Sequence, residues 1–344
     1  MKYTLSISHD GHSPRDIVIR GAKVQNHEIP ERAERLHEAM RALGHSEVPV
    51  RDWGMRWISA VHDLGYLEFL ETAHARWMQL PNASPVIHAH AHPHYSLRTP
   101  PASIQGQTGY YLGGGSAPMT AGTWRAALSS AHCALEAAQW VLEGERETYA
   151  LCRPPGHHAY RDYAGGFCYL NNVGIAANFL ARHMGRVAIL DIDTHHGDGT
   201  QSLFYERDDV HFVSVHGDPD ALFPFYAGHA HERGRGAGEG FNLNLPLPMR
   251  SEDPVWLDAV HAGMRSIDHY SPAALLVSLG FDAFKGDPSS DLCVSTEGFR
   301  QAGLRIGAWN GPIVLVQEGG YVVDKLAENL SAFLDGFFTS RTRA

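Results

Sequence analysis

The sequence predicts an α/β protein, a single domain over residues 1–344 built on a parallel β-sheet with helices on both faces. Three observations point there. From about residue 147 onward, short apolar runs alternate with helical patterns. The runs are rich in Val, Ile and Leu with little polar alternation, as strands buried on both faces are. Each run also ends in a polar group, so one edge of the sheet gathers the chemistry.

Helical spacing of apolar residues marks 31–43, 64–80 and 124–142, the last with small residues along one face. Between the second and third lies 81–123, rich in Pro, Gly, Ser and His. It reads as a large insertion into the domain, and long loops of this kind are often functional. The strand-like runs are 148–151, 187–193, 210–216, 273–281 and 312–317. Helices are predicted between and after them at 171–183, 199–206, 254–270, 296–310 and 322–338. No internal repeat interrupts this order.

Composition narrows the function classes. The chain carries 28 basic and 38 acidic residues, a net charge of −10, with 44% hydrophobic and 19% charged residues. That balance is globular rather than disordered. An acidic chain without a basic stripe argues against nucleic-acid or membrane-surface binding. No stretch of about 18 uninterrupted apolar residues suggests a membrane span, and the N-terminus has no apolar signal core. Cys133, Cys152, Cys168 and Cys293 are too few and too scattered for a disulfide framework or a CxxC metal site. The expectation is a soluble cytoplasmic protein. The 23 histidines and 35 glycines stand out, as acid–base or metal-binding groups and as tight-turn formers.

The strand ends carry the candidate chemistry. After Leu151 comes RPPGHH, with His157 and His158. The next run closes in DIDTHHGDG, with Asp191, Asp193, His195 and Asp198. The following ends supply Ser214-Val215-His216, then Gly280-Phe281-Asp282, then Gln317-Glu318-Gly319-Gly320-Tyr321. On a strand, side chains two apart share a face, so Asp193 and His195 can point together. A lone strand-end Asp is usually an N-cap. Two carboxylates and an imidazole (Asp193, His195, Asp282) instead form an O/N/O set with room for a fourth ligand, the pattern of an open catalytic zinc site. Fe²⁺, Co²⁺ or Mn²⁺ also suits these ligands. The tandem His157-His158 fits a proton acceptor beside a donor or electrostatic partner, oriented by the spare carboxylates Asp191 and Asp198. A phenol at Tyr321 can stabilise a developing oxyanion. Together these parts describe metal-assisted amide hydrolysis.

RPPGHHA, GGFCYLNN, DIDTHHGDGT, VSVHGDP, SLGFDAF and QEGGY resemble the metal-dependent histone deacetylase superfamily. HDLGYLEFLETA and the GYY…TAGTW…ALSSA stretch are most similar to its bacterial acetylpolyamine amidohydrolase branch. The resemblance implies the arginase/deacetylase fold, Zn²⁺, and hydrolysis of an N-acetylated amine to acetate and free amine. By resemblance, Asp193, His195 and Asp282 match the zinc ligands and His158 the general base, which also serves as an acid. His157 matches its tandem partner, Asp198 and Asp191 the carboxylates paired with His158 and His157, and Tyr321 the oxyanion-binding tyrosine. Phe167 and Phe225 match the aromatic tunnel walls, with Gly166 beside the scissile amide. The resemblance also implies a K⁺ site on Asp191, Asp193, His195, Ser214 and Val215, partly through backbone oxygens. A second K⁺ site falls on the carbonyls of Phe204, Arg207 and Val210. It further implies a homodimer whose contact is built by the 81–123 insertion and narrows the active-site entrance.

One departure concerns the substrate. Members that prefer polyamines carry acidic residues near the tunnel mouth, where this chain has Gln105 and Ser116. No Asp or Glu occurs from Thr72 to Leu135, while Arg76, Arg98 and Arg125 lie in that stretch. A carboxylate beside a cationic amine is worth about 1–4 kcal/mol, depending on the local dielectric. Glu28 and Glu31 are the candidates to compensate. Acetylated polyamines, acetylated diamines, acetyl-lysine side chains and other small acyl amides are the substrate classes left open, and a non-catalytic metal-binding homologue is the rival outside enzymology. An arginase-type ureohydrolase needs a bridging Asp two residues after Asp282, where Phe284 stands. His88, His90, His92 and His94 alternate along the insertion and share a face if extended, either as a second metal site or as a solvated or subunit-facing loop. Trp53, Trp57 and Trp77 fit core or interface positions better than a substrate cage.

Overall fold

A computed structural model describes residues 1–89 and 99–341. His90, His92, His94 and Arg98 lie outside the described residues, so the alternating-histidine expectation stops at His88. The chain opens with β1 (Lys2–Leu5), β2 (Asp16–Ile19), β3 (Ala22–Gln25), α1 (Glu31–Ala42), β4 (Ser46–Glu47) and α2 (Leu64–Trp77). Then come α3 (Ile104–Tyr111), α4 (Thr123–Leu142), β5 (Glu147–Leu151), α5 (Asn172–Met184), β6 (Val187–Asp191) and α6 (Asp198–Phe204). The remainder is β7 (Val210–Gly217), β8 (Asn242–Leu247), α7 (Asp253–Tyr270), β9 (Ala274–Leu279), α8 (Thr296–Gly307), β10 (Ile313–Gln317) and α9 (Val323–Arg341). Helix starts are locally encoded: Asp63, Asn171 and Ser295 each accept a backbone N–H of the first turn of α2, α5 and α8.

Eight strands form one sheet in the order β4-β1-β5-β10-β9-β6-β7-β8, and every pairing in it is parallel. β2 and β3 form a separate antiparallel hairpin. Because strand side chains alternate, each central strand divides its residues between two cores. Val187 and Ile189 face the core completed by α2, α4 and α5. Ala188 and Leu190 face the core completed by α1, α7, α8 and α9. Burial on both faces explains why these strands read as unbroken apolar runs. Trp53 and Trp57 pack edge-on against Phe179 and take no part in the strand-end cluster. Phe284 is buried in the second core.

Three sheet strands escaped the sequence reading because they lack such a run. β8 reads NLNLPL; it is an edge strand, which tolerates Pro246, and its buried Asn242 and Asn244 side chains donate to the side-chain oxygen Oε1 of Gln201. β1 has four residues and β4 two. The 81–123 insertion, expected as loop, contains α3 and a bridge between Ile87 and Met119. The topology places β5, β10, β9 and β6 side by side at the centre, with their C-terminal ends on one edge.

Buried neutral histidines tie the periphery to this edge. His62 donates from Nδ1 to the Tyr160 carbonyl at 2.9 Å, while its Nε2 accepts from Asn171 N–H at 3.0 Å, an arrangement that needs an uncharged ring. Burial pushes His62 down to about 4, and does the same to His12 and His216. The unfolded chain takes up a proton near the ordinary value of about 6.5 that the native ring refuses. His62 therefore contributes its full stability above that value and loses it as the pH falls toward about 4. At pH 5 the loss from one such ring approaches about 2 kcal/mol. Urea unfolding at pH 7.5 and 5.0 should show a smaller acid-induced loss for His62→Gln than for wild type. Equal losses in the two proteins would contradict this account.

Candidate active site

The turn after β5 is clamped from two sides. Glu318, just past β10, accepts the N–H groups of Gly156 at 2.7 Å and His157 at 3.2 Å through one carboxylate oxygen. Arg153 is buried and reaches Glu28, with Nε 2.8 Å from one oxygen and Nη2 3.0 Å from the other. It also donates to the carbonyls of His9 and His12. The strand end thus delivers His157 and His158 to a fixed place, with ring centroids 4.0 Å apart.

Each histidine is oriented by its own carboxylate. His157 Nδ1 lies 2.9 Å from Asp191 Oδ2, and His158 Nδ1 lies 2.6 Å from Asp198 Oδ1. Pairing at Nδ1 leaves Nε2 to face the site. The environment drives the two rings apart. Burial, then the charge on His157, pushes His158 down to about 4. Burial works against charge on His157 as well, but Asp191 and Asp193 overcome it and hold this ring well above the usual histidine range. One neutral and one cationic imidazole side by side is an acid–base pair set by surroundings rather than by residue type.

Asp193, His195 and Asp282 converge, all buried, with one potential ligand atom from each within 4.8 Å of the others. His195 Nδ1 is 3.2 Å from Asp193 Oδ1 and 3.2 Å from Asp282 Oδ2. His195 Nε2 lies 3.0 Å from the Ser289 carbonyl, which accepts a hydrogen bond from that N–H and so turns Nδ1 toward the carboxylates. Backbone N–H groups fix the other oxygens: Gly319 donates to Asp193 Oδ2 at 2.8 Å and Thr194 to Asp282 Oδ1 at 2.9 Å. Gly319 has to be glycine, because a Cβ there would overlap the carboxylates of both aspartates. Burial and the neighbouring Asp193 push Asp282 up to about 7. Burial opposes charge on His195 too, yet its bonds to the two carboxylates push it up to about 10. The cage is short of positive charge, and its two hard oxygens and one imidazole nitrogen fit a divalent cation. The buried apolar Phe284 offers no ligand for a second, bridged ion.

Tyr321 completes the constellation. Its N–H donates to Asp287 at 2.7 Å, and its ring lies 5.5 Å from Phe167 and 4.7 Å from the Arg32 guanidinium. Burial holds the phenol well above its ordinary value, so it is a proton donor. Gly166 adopts a left-handed φ of 50°, and a Cβ there would strike the His158 ring. Phe167 follows it in the same conformation, its N–H bonded to the Ser116 carbonyl at 3.0 Å.

The structure thus gathers Asp191, Asp193, His195, Asp198, His157, His158, Asp282, Gly166, Phe167 and Tyr321 at the sheet edge. Ser214 sits in register opposite Asp191, with Val215 next to it. The carbonyl of Phe204 already accepts from Arg207 N–H at 2.9 Å, a turn that leads into Val210. Phe225 stands farther out: it is 57% exposed, and Phe223 instead places its ring 4.9 Å from His158 and 6.3 Å from His195. Glu28 does not serve the mouth, being fully buried between Arg32 and Arg153; Glu31 is exposed and paired with Arg35. Sequence reasoning missed Phe223, Arg32 and Asp287. Asp287 accepts from Ser289 as well as from Tyr321, and so steadies the carbonyl that orients His195.

Residues 26–337 match the histone deacetylase domain. The chain is 45% identical to the acetylpolyamine amidohydrolase of Burkholderia pseudomallei over 95% of both chains. It is 38% identical to the acetylpolyamine amidohydrolase of Mycoplana ramosa over 98% of this chain and 99% of that protein. The crystal structure of acetylpolyamine aminohydrolase from Burkholderia pseudomallei superposes with a TM-score of 0.95 at 43% identity, covering 99% of each chain.

Metal-free protein titrated with Zn²⁺ or Co²⁺ should bind one equivalent at the Asp193–His195–Asp282 cage. Asp282→Ala should weaken that binding by more than the roughly 10–100-fold typical of losing an outer-shell partner. Isothermal titration showing wild-type affinity in Asp282→Ala would refute the assignment.

Proposed function

The chain belongs to the histone deacetylase family, and from that premise we propose that it is a zinc-dependent amidohydrolase acting on an N-acetylated amine. The products are acetate and the free amine, and the substrate is of the acetylpolyamine or acetylated-diamine kind, as the names of its relatives indicate for those proteins. The observation that carries the reading is the convergence of an O/N/O cage, two carboxylate-oriented histidines and a buried neutral phenol on one sheet edge.

A divalent cation held by Asp193, His195 and Asp282 would polarise the amide carbonyl and acidify a water molecule. Zn²⁺ is proposed, and the same ligands suit Fe²⁺, Co²⁺ or Mn²⁺. The protein's own groups do the rest. His158, kept neutral by burial and presented by Asp198, takes the water's proton at Nε2. His157, kept cationic by Asp191, supplies positive charge beside the developing tetrahedral centre. Tyr321 donates its phenolic hydrogen bond to the oxyanion, a contribution of about 3–4 kcal/mol in comparable sites. His158 then returns its proton to the leaving amine. Gly166 leaves room for the amide, and Phe167 with Phe223 lines the approach, Phe225 standing farther out.

The mouth favours weak selectivity for polycations. Ser116 adjoins Phe167, Gln105 lies on the exposed first turn of α3, and Glu28 is committed elsewhere. K⁺ held by Asp191, Asp193, His195, Ser214 and Val215, a second K⁺ on the carbonyls of Phe204, Arg207 and Val210, a homodimer and a cytoplasmic location belong to the same proposal. No described helix is long and apolar enough to cross a membrane.

The test is a deacetylation panel of acetylputrescine, acetylcadaverine, acetylspermidine and an acetyl-lysine peptide, with zinc supplied. Turnover of the small amines is expected, and preference for the peptide would favour the acetyl-lysine reading. His158→Ala and Tyr321→Phe should each remove most turnover, about a hundredfold or more, with metal content near wild type. Near-normal rates in both would refute the mechanism. Gln105→Glu should raise the rate on acetylspermidine relative to acetylputrescine; an unaltered ratio would count against the mouth-charge argument.

A further inference from the structure

The two histidine–carboxylate pairs are alike on the histidine side and different on the other. Asp191 gives its second oxygen to a backbone donor, the N–H of Asp193 at 3.1 Å. Asp198 gives its second oxygen to a side chain, the hydroxyl of Tyr226, which donates at 2.8 Å. Asp198 is only 2% exposed, and the Tyr226 hydroxyl is the side-chain donor on that oxygen. Asp198 also borders a cavity of about 570 Å³, lined by Tyr160, Tyr205, Tyr226, Gln201 and Glu232 among others. Tyr226 is 58% exposed as a residue, with its hydroxyl turned in to Asp198; burial of the phenol, then the charge on Asp198, raises it above the ordinary tyrosine value.

We propose that Tyr226 is a positioning residue of the proton-transfer machinery, fixing the second oxygen of Asp198 so that the first holds His158 in its working orientation. Tyr226 lies three residues after Phe223 in one loop. That loop touches His158 twice, through the Phe223 ring at 4.9 Å and through Tyr226 by way of Asp198. A donor on a carboxylate also draws its charge away from the partner imidazole, so Tyr226 moderates how strongly Asp198 pulls on the His158 Nδ1 proton. The loop that builds the aromatic wall thereby sets the base, and a backbone donor such as the one on Asp191 has no such link to a substrate wall. This inference rests on the deacetylase reading for its kinetic consequence, but its structural core does not.

Two measurements test it. With the acetylated amine that wild type hydrolyses fastest in the panel above, Tyr226→Phe should lower kcat about tenfold while KM stays within about twofold. In an Asp198→Asn background the same change should cost nothing further, because the bond it removes acts only through the carboxylate. An unaltered kcat in Tyr226→Phe, or equal losses in both backgrounds, would overturn the proposal. The second measurement needs no turnover. The proton on His158 Nδ1, identified in ¹⁵N-edited spectra by its loss in His158→Ala, should move downfield in Tyr226→Phe as Asp198 becomes a stronger acceptor. A resonance that stays at its wild-type position would overturn the proposal by itself. If wild type hydrolyses none of the panel amides, the deacetylase reading fails, and the proton shift alone decides the role of Tyr226.

Discussion

Everything in this site follows from confining two carboxylates, Asp193 and Asp282, around one imidazole nitrogen in a buried place. Like charges in a low-dielectric interior repel strongly, and the chain alone does not cancel them. Three kinds of relief are visible: backbone N–H groups from Gly319, Thr194 and His195, the imidazole of His195, and the cationic His157 behind. None requires the catalytic side chains to move, so the residual attraction for positive charge is a permanent feature of the folded chain. The same field that recruits a cation also fixes the protonation of the histidine pair.

Four strands from distant parts of the sequence meet here, and a few buried polar groups hold their ends in register with one another. Glu318 grips the histidine turn from the neighbouring strand end, while Arg32 donates to the carbonyls of Glu318 and Gly320 at 2.7 and 2.5 Å. Glu28 joins Arg32 to Arg153 and so ties the first helix to the same turn. Charged groups buried this way add little net stability, yet losing one partner strands the other, which makes the arrangement all-or-nothing.

The clustered polar residues were legible because each lies within several positions of a buried strand end, where apolar runs give way to Asp, His and Tyr. The same logic placed five of the eight sheet strands. Edge strand β8 alternates polar and apolar residues, so a search for unbroken apolar runs passes over it. Supporting residues were hidden for another reason. Arg32 sits on α1 among exposed charges and looks like any solvated helical arginine until the carbonyls it meets, 286 and 288 positions away, are known. Asp287 lies in a polar loop where an aspartate ordinarily makes a turn. Which phenylalanine lies nearer His158 depends on backbone geometry that sequence does not show: Phe225 takes a positive φ and is exposed, while the Phe223 ring packs beside His158.

The placement of β10 has a consequence for the integrity of the site. This strand, near the end of the chain, is inserted between β5 and β9 rather than added at an edge. On that side the neighbour of β5 is supplied by β10 alone, and the residues that follow β10 include Glu318 and Tyr321. A chain without β10 would lack the Glu318 clamp on the histidine turn, the Gly319 donor to Asp193 and Tyr321 itself, so this strand completes the centre.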